Sequence, residues 1–129
     1  MYDQELLERN LHPEFKGELE KVTPIELVNA SCGDELKIFL KTKNGVIIDG
    51  RFSGVGCAIS QVSADVFIAA VKGKTVTEAK KIRDDFYEMI LGAEASERVE
   101  KAKCLKCVSR MPARVKCAKL AWESLEKIA

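Results

Sequence analysis

Residues 35–54 read ELKIFLKTKNGVIIDGRFSG, and this stretch decides the fold. Leu36, Ile38 and Leu40 alternate with Lys37, Phe39 and Lys41, the period of two that a half-buried strand requires. Asn44-Gly45 follows, a dipeptide suited to the type I′ turn, whose two central residues both need positive φ. Val46 to Phe52 then returns as a second strand. Upstream, the run from Ile25 (IELVNA) reads as a strand, so three strands in succession predict an antiparallel sheet.

Outward from the hairpin the periodicity changes. Downstream of Cys57 the segment CAISQVSADVFIAAVKG has apolar residues at Ile59, Val62, Val66, Phe67 and Ala70, at helical spacing, with Gly73 as a stop. Thr75 or Thr77 caps a second helix, TVTEAKKIRDDFYEMILG, with Ala79, Ile82, Phe86, Met89 and Ile90 facing inward and Gly92 ending it. AEASERVEKAKCLKCVSR reads as a third, more polar helix. Pro112 suits the first turn of a last helix through Ile128, with Val115, Leu120, Trp122 and Leu125 as core residues. At the other end, Met1 to about Asn10 reads as a short helix carrying Tyr2, Leu6 and Leu7, interrupted by His12-Pro13 and Gly17. Strands first and helices later is the α+β pattern, a small three-stranded antiparallel sheet with helices on one face.

The chain has 129 residues, 47% hydrophobic and 32% charged, enough for a single domain over 1–129 with one core. Twenty-one basic and 20 acidic side chains leave a net charge of +1, which argues against non-specific nucleic-acid binding. There is no 18-residue apolar run to span a membrane, and the charged start MYDQELLERN lacks the apolar stretch of a secretory signal. The expected location is therefore cytoplasmic. In that reducing compartment the five cysteines are expected as thiols or metal ligands, and their odd number forbids complete internal pairing.

Three cysteines fall at element junctions: Cys32 before the hairpin, Cys57 where strand turns to helix behind Gly54 and Gly56, and Cys117 early in the last helix. Asp34 travels with Cys32. Three thiolates and a carboxylate suit a tetrahedral zinc, and sulfur ligation equally suits iron–sulfur chemistry. Taken singly, each cysteine reads as a small core hydrophobe and Asp34 as a turn residue, because no compact CxxC joins the three. Cys104 and Cys107 do form a CxxC. On one helix face they read as two partly buried thiols, with a redox or metal-binding pair as the sharper reading and Lys101, Lys103 and Lys106 as a solvated face.

The words around these residues carry more. NASCGDEL (29–36), FSGVGCAISQVSA (52–64) and PARVKCAKLAW (112–122), with HPEFKGEL (12–19) before them, closely resemble the signature segments of the NifU N-terminal/IscU/SufU family of iron–sulfur assembly proteins. The resemblance covers nearly the whole chain in order. It implies a SufE/NifU-like fold, and it implies that Cys32, Asp34, Cys57 and Cys117 form the metal or cluster site. Scaffold-type members place a histidine before the last cysteine. Here Lys116 stands there, and His12 is the chain's single histidine. The long run between Cys57 and Cys117 likewise resembles the SufU-type branch. One departure is Ala30, where the family usually has proline after the asparagine.

SufU-type members are zinc-dependent sulfur carriers that take sulfur from the persulfide of a pyridoxal-phosphate cysteine desulfurase (SufS-like) and pass it to a downstream iron–sulfur scaffold or acceptor. The resemblance therefore implies Zn2+ as cofactor and Cys32 as the persulfide carrier. In the family's ligand swap a desulfurase histidine frees that first cysteine while Asp34, Cys57 and Cys117 hold on. Arg114 matches the family's arginine in the last motif and would hold a freed thiolate or the partner, against the plainer reading of a solvated helix-start arginine. The alternative function is an IscU-like scaffold on which a [2Fe–2S] cluster is built.

Overall fold

The computed structural model describes residues 3–128. Its centre is the expected hairpin. β2 (Asp34–Lys43) and β3 (Val46–Val55) pair antiparallel, and β1 (Ile25–Asn29) pairs antiparallel with β2, giving the order β1-β2-β3. Asn44 and Gly45 hold φ of 53° and 79°, as the type I′ turn demands. Leu36 and Ile38 are buried and Lys37 is exposed, as the alternation predicts. Phe39 departs from it: the ring lies on the opposite face from Ile38 yet is only 5% exposed. The register shifts between Lys41 and Thr42, and pairing continues to the turn through Thr42–Ile47 and Lys43–Val46.

The free edge of β3 is covered by the HPEFKGEL segment. Phe52 N–H donates to the Phe15 carbonyl (3.0 Å) and Gly17 N–H to the Phe52 carbonyl (2.8 Å). Pairing the edge strand in this way removes exposed backbone donors and acceptors. Before that segment comes α1 (Gln4–Leu11), whose N-cap Asp3 accepts from Leu6 N at 2.8 Å. Leu6 is fully buried while Leu7 is 47% exposed, and Tyr2 lies outside the described residues.

α2 (Ala58–Val71) is the central helix, and it is buried almost all round rather than on one stripe. It packs against β3, α1, the following helix and the C-terminal segments. A helix so enclosed must satisfy its polar side chains internally. Asp65 accepts from Phe15 N (2.7 Å) and pairs with Arg9, tying α1 and the edge segment to α2. Ser63 donates to the Ala118 carbonyl (2.5 Å) and accepts from the Trp122 indole (3.0 Å), tying the last segment to it.

α3 (Val76–Ile90) begins with Thr75 as cap. The Thr75 hydroxyl accepts from Glu78 N (3.0 Å) and Glu78 Oε1 accepts from Thr75 N (3.1 Å), a reciprocal capping box. All five predicted core residues of α3 are buried. Trp122 is fully buried, stacked on Phe86 (centroids 4.2 Å apart) and edge-on to Phe67 (4.9 Å). This aromatic cluster joins α2, α3 and the C-terminus.

Two expectations about the C-terminal third need correction. Residues Glu97–Arg110 wind as a 3-10 segment with non-helical dihedrals at Val99, not as an α-helix from Ala93. The last helix is α-helical only over α4 (Val115–Lys119), between the 3-10 segments Pro112–Arg114 and Ala121–Lys127. The tighter winding brings residues i and i+3 into line, and composition gives little sign of it. Among the described residues no helix is long and apolar enough to cross a membrane.

Candidate metal centre

The β1–β2 turn, the start of α2 and α4 meet at one end of the sheet. The turn is closed by the last rung of the pairing, Asn29 opposite Asp34, and by Cys32 N–H donating to the Asn29 carbonyl (3.2 Å). Gly33 takes φ of +73°, a conformation that favours glycine and lets the chain reverse between Cys32 and Asp34. Asp34 is fully buried, Cys117 is fully buried, and Cys32 is partly exposed.

One ligand atom from each of Cys32, Asp34 and Cys117 lies within 4.8 Å of the other two. Cys57 is not in that set, but it stands beside it. Its backbone N–H donates to Asp34 Oδ1 (3.0 Å), and its side chain borders the Cys117 sulfur. It is the N-cap residue of α2, and its side chain makes no capping bond, so the thiol is not spent on the helix. Gly56 has a reason to be glycine here: a β-carbon would stand 2.7 Å from Asp34 Oδ1 and collide with Ser60 Oγ.

A buried carboxylate must be hydrogen-bonded. Asp34 Oδ1 accepts from Cys57 N and from Ser60 Oγ (3.1 Å), and Oδ2 accepts from Asn29 Nδ2 (3.3 Å). Asn29 Nδ2 also reaches Cys117 Sγ (3.5 Å). Arg114, from the 3-10 turn before α4, places Nη1 3.7 Å from Cys32 Sγ. Arg114 is held above the ordinary arginine range by hydrogen bonding to Cys117 and by the charge of Cys57, Cys117 and Cys32. Burial, then hydrogen bonding with Cys32, Asp34 and Cys57, pushes the Cys117 thiol up. Four acidic groups thus share one pocket, with a guanidinium as the neighbouring cation.

The donor set fits a metal. A tetrahedral zinc with bonds of about 2.0–2.3 Å spaces its donors by roughly 3.3–3.8 Å, so the three atoms within 4.8 Å of one another need close by only about 1–1.5 Å. Lys116 is exposed, as is His12, so neither enters the pocket. The residue reading missed Asn29 and Ser60. Both are buried polar side chains, and the signal available for each was its place in a quoted motif, Asn29 in NASCGDEL and Ser60 in FSGVGCAISQVSA.

Cys104 and Cys107 lie elsewhere, in the 3-10 segment. Cys104 is 2% exposed within the core, and Cys107 is half-buried with its thiol donating to the Cys104 carbonyl (3.6 Å). Burial raises both thiols, Cys104 to about 12, as expected of packed rather than reactive cysteines.

Comparison with known proteins gives the family and the fold. The profile of the NifU-like N terminal domain matches residues 1–129. The zinc-dependent sulfurtransferase SufU of Bacillus subtilis is 33% identical, over 98% of this chain and 88% of its own length. The iron–sulfur cluster assembly scaffold protein IscU of Thermotoga maritima is 35% identical, over 98% and 91%. Among solved structures, FiSufU from the thermophilic Fervidobacterium islandicum AW-1 superposes with a TM-score of 0.88 at 35% identity, over 98% of this chain and 94% of that one.

Proposed function

The chain belongs to the NifU-like N terminal domain family of iron–sulfur cluster assembly proteins, and from that premise we propose that it is a zinc-dependent sulfur carrier of the SufU type. It accepts persulfide sulfur on Cys32 from a pyridoxal-phosphate cysteine desulfurase. The observation that carries this reading is the convergence of Cys32, Asp34 and Cys117 beside Arg114, without a histidine in the pocket. Cys57 completes the donor set by rotation about its side-chain bond, since its backbone already touches Asp34. A bound zinc would keep these thiols deprotonated at neutral pH.

The chain's own residues divide the work by accessibility. Cys117 and Asp34 are buried, so they hold position, whereas Cys32 is partly exposed on a turn and meets another protein's sulfur. Cys32 Sγ attacks the outer sulfur of the desulfurase persulfide. The partner's S–S bond breaks, its electron pair leaves on the desulfurase cysteine as thiolate, and the outer sulfur with its proton ends on Cys32 as a new persulfide. Arg114 faces the Cys32 sulfur and offsets its negative charge. The sulfur then passes to a downstream iron–sulfur scaffold or acceptor.

The alternative reading is a scaffold for a [2Fe–2S] cluster, favoured by the scaffold function named for the Thermotoga relative and open to the same donors. Elemental analysis of the as-isolated protein, with a desulfurase stimulation assay, separates the two. A colourless protein with one zinc that accelerates the desulfurase supports the carrier. A brown protein with sulfur-to-iron absorption overturns it in favour of the scaffold.

A further inference from the structure

One residue touches three of the four proposed ligands, and it is not a ligand. Asn29 closes β1. Its carbonyl accepts from Cys32 N–H at 3.2 Å, and its amide nitrogen lies 3.3 Å from Asp34 Oδ2 and 3.5 Å from Cys117 Sγ. Asp34 is 5 positions away and Cys117 is 88 away, so the amide bridges the β1–β2 turn to α4. The side chain is 8% exposed, in a pocket where unpaired polar groups are costly.

The amide is also held from its other side. Ser31 Oγ donates to Asn29 Oδ1 at 2.9 Å. A side-chain amide has two N–H donors and one carbonyl acceptor. Here the carbonyl faces the only donor hydroxyl among its partners, and the nitrogen faces two acceptors. Turning the amide over would place its oxygen against a carboxylate oxygen and a sulfur, whereas the Ser31 hydroxyl can donate or accept, so Asp34 and Cys117 set the orientation and Ser31 holds the amide in place.

We propose that Asn29 is the positioning residue of this centre: its amide sets the spacing of Asp34 and Cys117, its carbonyl anchors the Cys32 turn, and Ser31 locks it. The inference rests on the metal-site reading above. Partners that orient ligating groups typically account for about 10–100-fold in metal affinity. They also fix geometry, because a ligand without such a partner explores rotamers that miss the ion.

The test compares the parent protein with Asn29→Leu, which keeps the branched shape and removes the donors, and with Ser31→Ala, which removes only the lock. Zinc affinity is measured by chelator competition, coordination by the visible absorption of cobalt(II)-loaded protein, and folding by thermal melts without metal. The expected result is a zinc Kd raised roughly 10–100-fold in Asn29→Leu and several-fold in Ser31→Ala, with altered cobalt bands, a metal-free Tm lowered in Asn29→Leu by the loss of one buried donor, and a metal-free Tm close to that of the parent in Ser31→Ala. Ser31 is exposed, so Ser31→Ala reports even if Asn29→Leu fails to fold. Parent-like zinc affinity in both variants, or a lowered metal-free Tm with unchanged Kd, overturns the inference and leaves the metal reading intact. A parent protein that takes up no zinc brings down both.

Discussion

Arg114 Nη1 stands 3.7 Å from Cys32 Sγ, although 82 positions separate the two residues. The contact depends on the Pro112–Arg114 turn delivering the guanidinium to the β1–β2 turn just before α4 delivers Cys117. Its purpose follows from charge. In the proposed centre, three thiolates and a carboxylate round one divalent ion would leave excess negative charge, and Arg114 is the cation placed against it.

Arg114→Ala should slow sulfur acceptance without emptying the metal site, because the arginine is no ligand. The group is solvent-accessible, so its electrostatic contribution is screened and the expected loss is modest, roughly two- to fivefold in desulfurase stimulation. Arg114→Lys should recover part of it. Zinc content by elemental analysis should stay at the parental level, and loss of zinc in Arg114→Ala would show the residue to be part of the metal shell instead.

Chelation should lower the melting temperature. Zinc held as proposed, by the β1–β2 turn, α2 and α4, would bind the folded state alone, so at free zinc 100- to 1,000-fold above Kd it would add about 3–4 kcal/mol. For a chain of this size that is on the order of 10 °C. The Phe67–Phe86–Trp122 cluster is independent of the site, so the chelated protein should still melt cooperatively. Identical melting curves after verified zinc loss would contradict the coupling.

Asp65→Ala should be among the most damaging single changes. It removes the acceptor of Phe15 N–H and the partner of Arg9, and Asp65 is fully buried. Breaking such a pair from one side leaves a stranded donor and an unpaired cation, costing about 3 kcal/mol in urea denaturation. A cost below about 1 kcal/mol would mean that apolar packing and the backbone bonds to Phe52 suffice to hold α1 and the edge segment.

Cys104 gives a pH-dependence with a definite sign. Burial foremost lifts its thiol from 9.0 to about 12, so folded protein keeps the proton that unfolded chains release. Its contribution to stability is complete below about pH 9 and fades as pH rises from there towards 12. Cys104→Ala should flatten the fall in stability between about pH 9 and 11, after an initial cost of about 1 kcal/mol for the small cavity. An unchanged alkaline slope would show that the thiol is not shielded as its 2% exposure indicates.

The hairpin was legible because its signals are local: alternation in β2 and the Asn44-Gly45 turn need only adjacent residues to act. Cys32, Asp34, Cys57 and Cys117 drew attention as types of ligand, but spacing alone left them open to plainer readings, and the resemblance of their motifs singled them out. Asn29, Ser60 and Asp65 were not foreseen, because each acts on a partner remote in sequence or on backbone that only folding brings near. The tight winding of Glu97–Arg110 was missed for a different reason. Polar residues at helical spacing fit α and 3-10 winding alike, and the difference is decided by packing against α2 and α3.

Cys32 should carry the transferred sulfur. Incubation with a cysteine desulfurase and cysteine, followed by peptide mass spectrometry, should show an added mass of about 32 Da on the Cys32 peptide, one sulfur atom delivered by thiolate attack on a persulfide. Cys32→Ala should abolish stimulation of the desulfurase. Cys57→Ala and Cys117→Ala should also inactivate, but with zinc lost, so metal content distinguishes a missing carrier from a missing ligand. Accessibility sets Cys117 apart, since it is fully buried and cannot meet a partner's sulfur without local opening; Cys32 and Cys57 are both partly exposed, and Cys32 is distinguished from Cys57 by its place on the turn beside Arg114. Cys107→Ala should leave activity near the parental level, because its thiol bonds to the Cys104 carbonyl and lies outside the centre. Sulfur on Cys104 or Cys107 with Cys32 unmodified would overturn the assignment and make the CLKC pair the working site.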